Sequence, residues 1–308
     1  MQELETSGEL EAMSLPVLDF EPAEGSMKTL EKVLRYANLG FPVHLCGPSG
    51  VGKTATAIEA ARRIGRPISF FTGNSGQDPS SLVGSVSGKV SHNVVDRYIS
   101  SVRKTTSNER QLWVDESLSV ACLEGHTLIF DEFHRSPPEA TSPLLSVLEE
   151  RILVLPRKAH ETPVIPVHPE FRLILTSNST DASDTSDVLN ALYDRIVTLE
   201  VNMPDTSSET RILVSSTGVS EADANRILEL LGRLRKDERC RSAPSLRAAQ
   251  MIGKAVVEFD LDTSLDDPDF VELCKDILGS KIAHDTKAKL TREEVILRAL
   301  KVSKAKSA

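Results

Sequence analysis

Gly47-Pro48-Ser49-Gly50-Val51-Gly52-Lys53-Thr54 satisfies the pattern G-x-x-x-x-G-K-[ST] and sits between an apolar run, PVHLC, and a helix-patterned stretch, TATAIEAARRI. Strand, loop and helix in that order are the setting in which the pattern has a mechanism. The glycines permit a tight loop, so that backbone N–H groups and the helix N-terminus can wrap a row of phosphates. Lys53 would then neutralise β- and γ-phosphate oxygens, and the Thr54 hydroxyl would bind Mg²⁺. All eight positions, from Gly47 to Thr54, are read as phosphate contacts. An ordinary glycine-rich turn has no need of the strand and helix that flank them.

Outward from this loop, short apolar runs alternate with helical patterns: PISFF, TLIFD, a helix through PLLSVLEER, then FRLILTSN and IVTLEV. The runs are near-continuous rather than alternating, as strands covered on both faces of a parallel sheet should be. This predicts an α/β architecture with a parallel sheet. After Pro204 no further strand pattern occurs, and stretches such as EADANRILELLGRLRK carry apolar residues at helical spacing. The predicted organisation is an acidic arm over residues 1–26, a sheet domain over 27–205 and a helical domain over 206–308.

Two acids, Asp131 and Glu132, end the run TLIF. A carboxylate pair closing a buried strand needs a purpose, and at the carboxyl edge of a sheet beside a phosphate loop there is one. Asp131 would hold the Mg²⁺ shell and Glu132 would orient and deprotonate an attacking water. A kinase has less need of the second acid. Asn178, at the end of FRLILTSN, could place an amide between the acids and the γ-phosphate. Arg195 precedes IVTLEV and could project into a neighbouring subunit's nucleotide. Arg247, early in a helix of the second domain, could reach nucleotide from above.

The chain has 308 residues, and its formal charge of −9 is concentrated in the N-terminal arm. Seven acids and no Lys or Arg fall in the first 27 residues, which leaves the remainder at −2. A near-neutral body with 4% aromatic residues lacks the basic stacking surface of a dedicated nucleic-acid binder. The short lysine run at Lys301, Lys304 and Lys306 is read as capping the last helix. Cys46, Cys122, Cys240 and Cys274 form no C-x-x-C pair and read as reduced, buried thiols. There is neither a signal-peptide start nor an apolar stretch of 18 residues, so no membrane span and a cytoplasmic location are expected.

The ordered set GPSGVGKT, TLIFDEF, LTSN, ALYDR and SLRAA resembles the AAA+ ATPases. Within them the chain is similar to the MoxR group, with Leu82-Val83-Gly84 after the second strand and a hairpin at about 152–167 before the strand that ends in Asn178. Trp113-x-Asp115-x-x-Leu118-x-x-Ala121-Cys122, DEF-x-RS-x-PE at 131–139, LLSVLEE, LVLP, VHPEFR and VVDRYISSVRK narrow the resemblance to the gas vesicle protein N family. The chain departs from that family at His134, at Thr141-Ser142 and in the loop STDASDTSD. His134 is read as a capping or surface residue.

The resemblance implies a P-loop NTPase core of AAA+ type with a C-terminal helical lid. ATP and Mg²⁺ are the implied cofactors, and Lys53, Glu132, Asn178 and Arg195 the catalytic set. Thr54 and Asp131 would be the metal ligands, with Arg247 among the nucleotide contacts. It implies a homo-oligomeric ring, a hexamer by analogy, that remodels gas vesicles with other gas vesicle proteins, shell or outer scaffold. Association with the vesicles themselves stays open. So do two alternatives: a MoxR-type activator of a metalloenzyme or other partner, and a nucleotide-gated scaffold with little turnover.

Overall fold

A computed structural model describes residues 24–96, 104–155, 164–178, 187–240, 242–264, 266–282 and 291–301. The acidic arm up to residue 23, the loop that follows Asn178, and Lys304 and Lys306 lie outside these residues. The described chain forms two compact units, whose main division falls between Glu200 and Val201.

The first unit is built on five parallel strands: β1 (Val43–Gly47), β2 (Ile68–Thr72), β5 (Thr127–Asp131), β8 (Arg172–Asn178) and β9 (Val197–Glu200), in the order β2-β5-β8-β1-β9. These are the five apolar runs of the sequence. The crossovers put β1 at an inner position, between β8 and β9, so that its last residue ends beside the end of β8. Register matches Gly47 with Asn178, and Thr72 with Asp131.

One face of the sheet is covered by α2 (Lys53–Ile64), whose buried Ala57, Ala60 and Ala61 let the helix lie close to β5 and β8. From Leu30 onward α1 (Glu24–Asn38) also belongs to this unit, through Leu30, Val33 and Ala37, all fully buried. Its first three residues fall inside the segment read as an arm. The opposite face joins Leu128, Phe130, Leu173 and Leu175 to α4 (Ser117–Glu124) and α6 (Pro143–Glu149) in a single core. Burying a side chain such as Phe130 removes apolar surface worth roughly 1.5–3 kcal/mol from water.

Two antiparallel ribbons leave this scaffold. Helix α3 (Pro79–Val83) is capped by Asp78 and leads through Gly84 into β3 (Gly84–Asp96), which pairs with β4 (Lys104–Asp115). The strand pattern of the sequence does not anticipate this ribbon. The second ribbon, β6 (Ile152–Val154) with β7 (Val164–Pro166), is the hairpin expected before β8. The short helix α5 (Pro138–Thr141) lies between the two ribbons in the chain, and α7 (Asp187–Tyr193) comes after β8.

The second unit is helical: α8 (Thr206–Thr217), α9 (Glu221–Arg235), α10 (Leu246–Glu258), α11 (Pro268–Gly279) and α12 (Arg292–Lys301). Asp205, Ser220 and Asp267 accept backbone N–H bonds at the starts of α8, α9 and α11, satisfying donors that a helix leaves open. Leu213, Ile227, Leu231, Ile252, Phe270 and Ile296 lie in its core. At its centre Arg235 clasps Glu209 with two bonds of 2.8 and 2.9 Å and gives its Nε to the Pro244 carbonyl at 2.8 Å. Among the described residues no helix is long and apolar enough to cross a membrane.

Candidate nucleotide site

The loop that leaves β1 holds Gly50 and Gly52 at φ of 80° and 89°. Other L-residues adopt that region at a cost of roughly 1–2 kcal/mol, so the glycines of the motif are required by the backbone path. Lys53 opens α2 and is only 6% exposed. Its Nζ donates to Gly47 O at 2.9 Å and to Asn178 Oδ1 at 3.0 Å. The ammonium therefore lies at the carboxyl edge of the sheet, held by a carbonyl and an amide oxygen.

Asp131 closes β5 beside it. One of its oxygens, Oδ1, accepts the Thr54 hydroxyl at 2.7 Å and the Thr176 hydroxyl at 2.6 Å. The Thr176 oxygen in turn accepts the Glu132 backbone N–H at 3.0 Å, which ties the ends of β5 and β8 together. A carboxylate and a hydroxyl meeting at hydrogen-bond distance form an all-oxygen donor set, the chemistry a hard divalent cation requires. Thr54 and Asp131 thus fit the metal role expected of them.

Glu132 sits at φ 53°, ψ 39°, a left-handed conformation that is uncommon for a residue with a side chain. The conformation turns the chain out of the strand into a 3₁₀ turn over Phe133–Arg135, with Phe133 fully buried as its anchor. Gly73 permits the turn, since a Cβ there would stand 2.4 Å from Glu132 O. The carboxylate oxygen Oε2 of Glu132 accepts Asn178 Nδ2 at 3.0 Å and lies 3.3 Å from Arg135 Nε and 3.5 Å from His134 Nε2. Lys53, Asn178 and Glu132 form a continuous chain of contacts.

His134 is not a surface residue: its side chain is 7% exposed and faces Glu132. Packing of Phe133 into the core draws its neighbour under the turn. Thr176 is a site residue that the sequence reading passed over, because a threonine within an apolar strand carries no local signal. Its partners are 44 and 45 positions away.

Arg195 follows α7 and stands apart from this cluster. It is partly exposed, at 31%, and gives one bond to Ala191 O at 2.6 Å and one to Glu149 Oε2 at 2.8 Å. Arg247 is the second residue of α10 in the helical unit, and it is exposed. The described cysteines are all free thiols. Cys122 and Cys274 are buried, and burial pushes each thiol up to about 12, whereas Cys46 and Cys240 are half-buried rather than buried as expected.

Comparison with known proteins follows the same residues. The AAA domain (dynein-related subfamily) family matches residues 42–196, which span the loop, both acids, Asn178 and Arg195. The gas vesicle ATPase GvpN of Ancylobacter aquaticus is 41% identical over 85% of this chain and 73% of its own length. The chain belongs to the gas vesicle ATPase GvpN family. A second GvpN, from Haloferax mediterranei, is 35% identical over 90% of this chain and 78% of its own length. The crystal structure of NtrX from Brucella abortus in complex with ADP, 18% identical, aligns with a TM-score of 0.50 over 89% of this chain and 60% of that one, a likeness of fold. This GvpN-family chain is therefore an AAA+ ATPase, a nucleotide-binding enzyme with a parallel-sheet core.

Proposed function

We propose that the chain hydrolyses ATP within a homo-oligomeric ring, a hexamer by family analogy, and uses the cycle to remodel components of gas vesicles during their assembly and enlargement. The observation that carries the reading is the chain of contacts from Lys53 through Asn178 to Glu132. It links the cation that meets the phosphates to the base that activates water. Residues 27–205 act as the nucleotide domain and 206–308 as a lid.

The loop from Gly47 to Gly52 wraps the phosphates with backbone N–H groups, and Lys53 exchanges its present oxygen partners for β- and γ-phosphate oxygens. Thr54 and Asp131 would hold Mg²⁺, which when bound would neutralise phosphate charge. Asn178 turns its amide between Glu132 and the γ-phosphate. Glu132 orients a water and takes its proton as the water oxygen attacks the γ-phosphorus, while the bond from that phosphorus to the β–γ bridging oxygen breaks and ADP and inorganic phosphate leave. Arg195, presented on the rim after α7, enters the neighbouring subunit's site and stabilises charge on the transferred group. Arg247 contacts nucleotide from the lid. The protein works in the cytoplasm, with other gas vesicle proteins as its substrates.

Mixing two inactive variants tests the ring. Glu132→Gln subunits retain Arg195, and Arg195→Ala subunits retain Glu132, so the mixture is expected to regain turnover that neither shows alone. A mixture as inactive as its parts would contradict an arginine acting in trans. For the biological role, cells making gas vesicles with Lys53→Ala in place of this chain are expected to contain only small vesicles. Full-sized vesicles would overturn that assignment.

A further inference from the structure

Strand β1 carries one polar side chain in its apolar run, His44, and it is 1% exposed. Register sets it opposite Leu175 of β8 and Thr198 of β9. Its Nε2 lies 2.8 Å from Ser177 Oγ and its Nδ1 3.1 Å from Thr198 Oγ1, so the ring spans three adjacent strands. Phe133 packs edge-on to it at 5.1 Å, with planes at 87°, and Tyr193 packs against it at 5.7 Å.

The neighbours of these four partners are telling. Ser177 precedes Asn178, Phe133 follows Glu132, Tyr193 stands two residues before Arg195, and Thr198 three residues after it. Burying an imidazole costs free energy unless both nitrogens are bonded, and here both are. Two bonds and two ring contacts leave the side chain a single orientation. Burial above all, with the charges of His134 and Lys53 opposing protonation, holds the imidazole down at about 4. The ring is neutral at working pH, one hydroxyl donating to it and the other accepting from it.

We propose that His44 is a positioning residue that fixes Asn178 and Glu132, which serve the subunit's own nucleotide, relative to Arg195, which the subunit lends to its neighbour. The inference rests on the roles proposed above for those three residues. A leucine or valine at this strand position would fill the core at less cost in desolvation. What the imidazole adds is a polar tie between β8 and β9, across β1, that reaches Ser177, one residue before Asn178.

The test uses the full-length protein, with ATP turnover and binding of a fluorescent ATP analogue measured separately. His44→Phe keeps a ring against Phe133 and Tyr193 and removes both ties. Its kcat is expected to fall at least about tenfold while the analogue's Kd stays within about threefold. His44→Gln can keep the Ser177 tie and His44→Asn the Thr198 tie, so each is expected to recover part of the loss. Adding Ser177→Ala to His44→Phe is expected to cost nothing further. If His44→Phe turns over like the parent, or loses kcat and nucleotide affinity in the same proportion, the positioning role is wrong. Should His44→Phe fail to fold, Ser177→Ala and Thr198→Val take its place: each is expected to lower kcat without weakening binding, and parental kcat in both would overturn the proposal. Glu132→Gln is run alongside, because turnover surviving in that variant indicts the site reading rather than His44.

Discussion

In the helical unit Arg235 and Glu209 meet as a fork, two parallel bonds of 2.8 and 2.9 Å that cancel one charge against the other. At the edge of the sheet the bonds are of another kind. Lys53 gives protons to a carbonyl and an amide oxygen, and Asp131 accepts from two hydroxyls. Each of these four bonds joins a charged group to a neutral one, and so orients the charge. Both clusters are largely buried, with Lys53 at 6% exposure and the Glu209 side chain at 5%. One is a closed structural pair. On the function proposed above, the other is a set of groups oriented for a substrate that arrives later, which is how a preorganised site lowers a barrier.

If that contrast is right, substitutions at the two places should fail differently. The largest effect is expected from Arg195→Ala: kcat should fall by roughly 10³- to 10⁵-fold, as for other arginines that stabilise a transferring phosphoryl group. Stability should shift by less than about 1 kcal/mol, because the Glu149 pair it loses is solvent-exposed. A kcat loss under tenfold would mean that Arg195 never enters a nucleotide site.

Arg235→Ala should show the reverse, a loss of about 3–5 kcal/mol in urea unfolding from a buried carboxylate left without its partner. Replacing both members by apolar residues of similar volume should restore most of it. If the double replacement is as unstable as the single one, the pair is more than a matched charge.

His44 lies between these extremes and can be read by pH. The unfolded imidazole protonates near 6.5 and the folded one at about 4. Below 6.5 the unfolded chain therefore binds more protons, and stability falls as pH drops through that window, by roughly 3 kcal/mol at its lower end. His44→Phe should flatten this segment of the stability profile. A slope unchanged by the substitution would mean that the ring is not held neutral.

The smallest effect is expected at Thr176. Thr176→Val keeps the shape and removes the hydroxyl between Asp131 and the Glu132 N–H, a loss of about 1–3 kcal/mol for a buried group left unsatisfied. Turnover should drop around tenfold, at raised Mg²⁺ requirement. An unchanged Mg²⁺ titration would argue that Asp131 does not need the second hydroxyl.

The parts of the fold that the sequence announced are those where a local pattern and a tertiary need coincide. Buried parallel strands must be apolar on both faces, so β1, β2, β5, β8 and β9 stand out as runs. The phosphate loop needs glycine at Gly50 and Gly52 for its backbone path, and that need is written as a motif. The β3/β4 ribbon is not announced in this way, because a stretch such as SVSGKVSH holds no near-continuous apolar run. Thr176 and His44 were missed for a different reason. Each is an unremarkable residue within a strand, and its meaning comes from sheet register, which brings partners together from more than 40 positions away. The surface half of the His134 reading fails because only the 3₁₀ turn after Glu132 shows which way it faces.

The central claim is that Glu132, held in the chain of contacts from Lys53, activates water in an oligomeric ATPase. It is tested most directly by steady-state ATP hydrolysis with Mg²⁺ across a range of protein concentrations, beside Glu132→Gln. The account predicts turnover that rises more than proportionally with protein concentration and vanishes in the variant, while the variant still binds nucleotide. Turnover strictly proportional to concentration, or a variant as active as the parent, would contradict it.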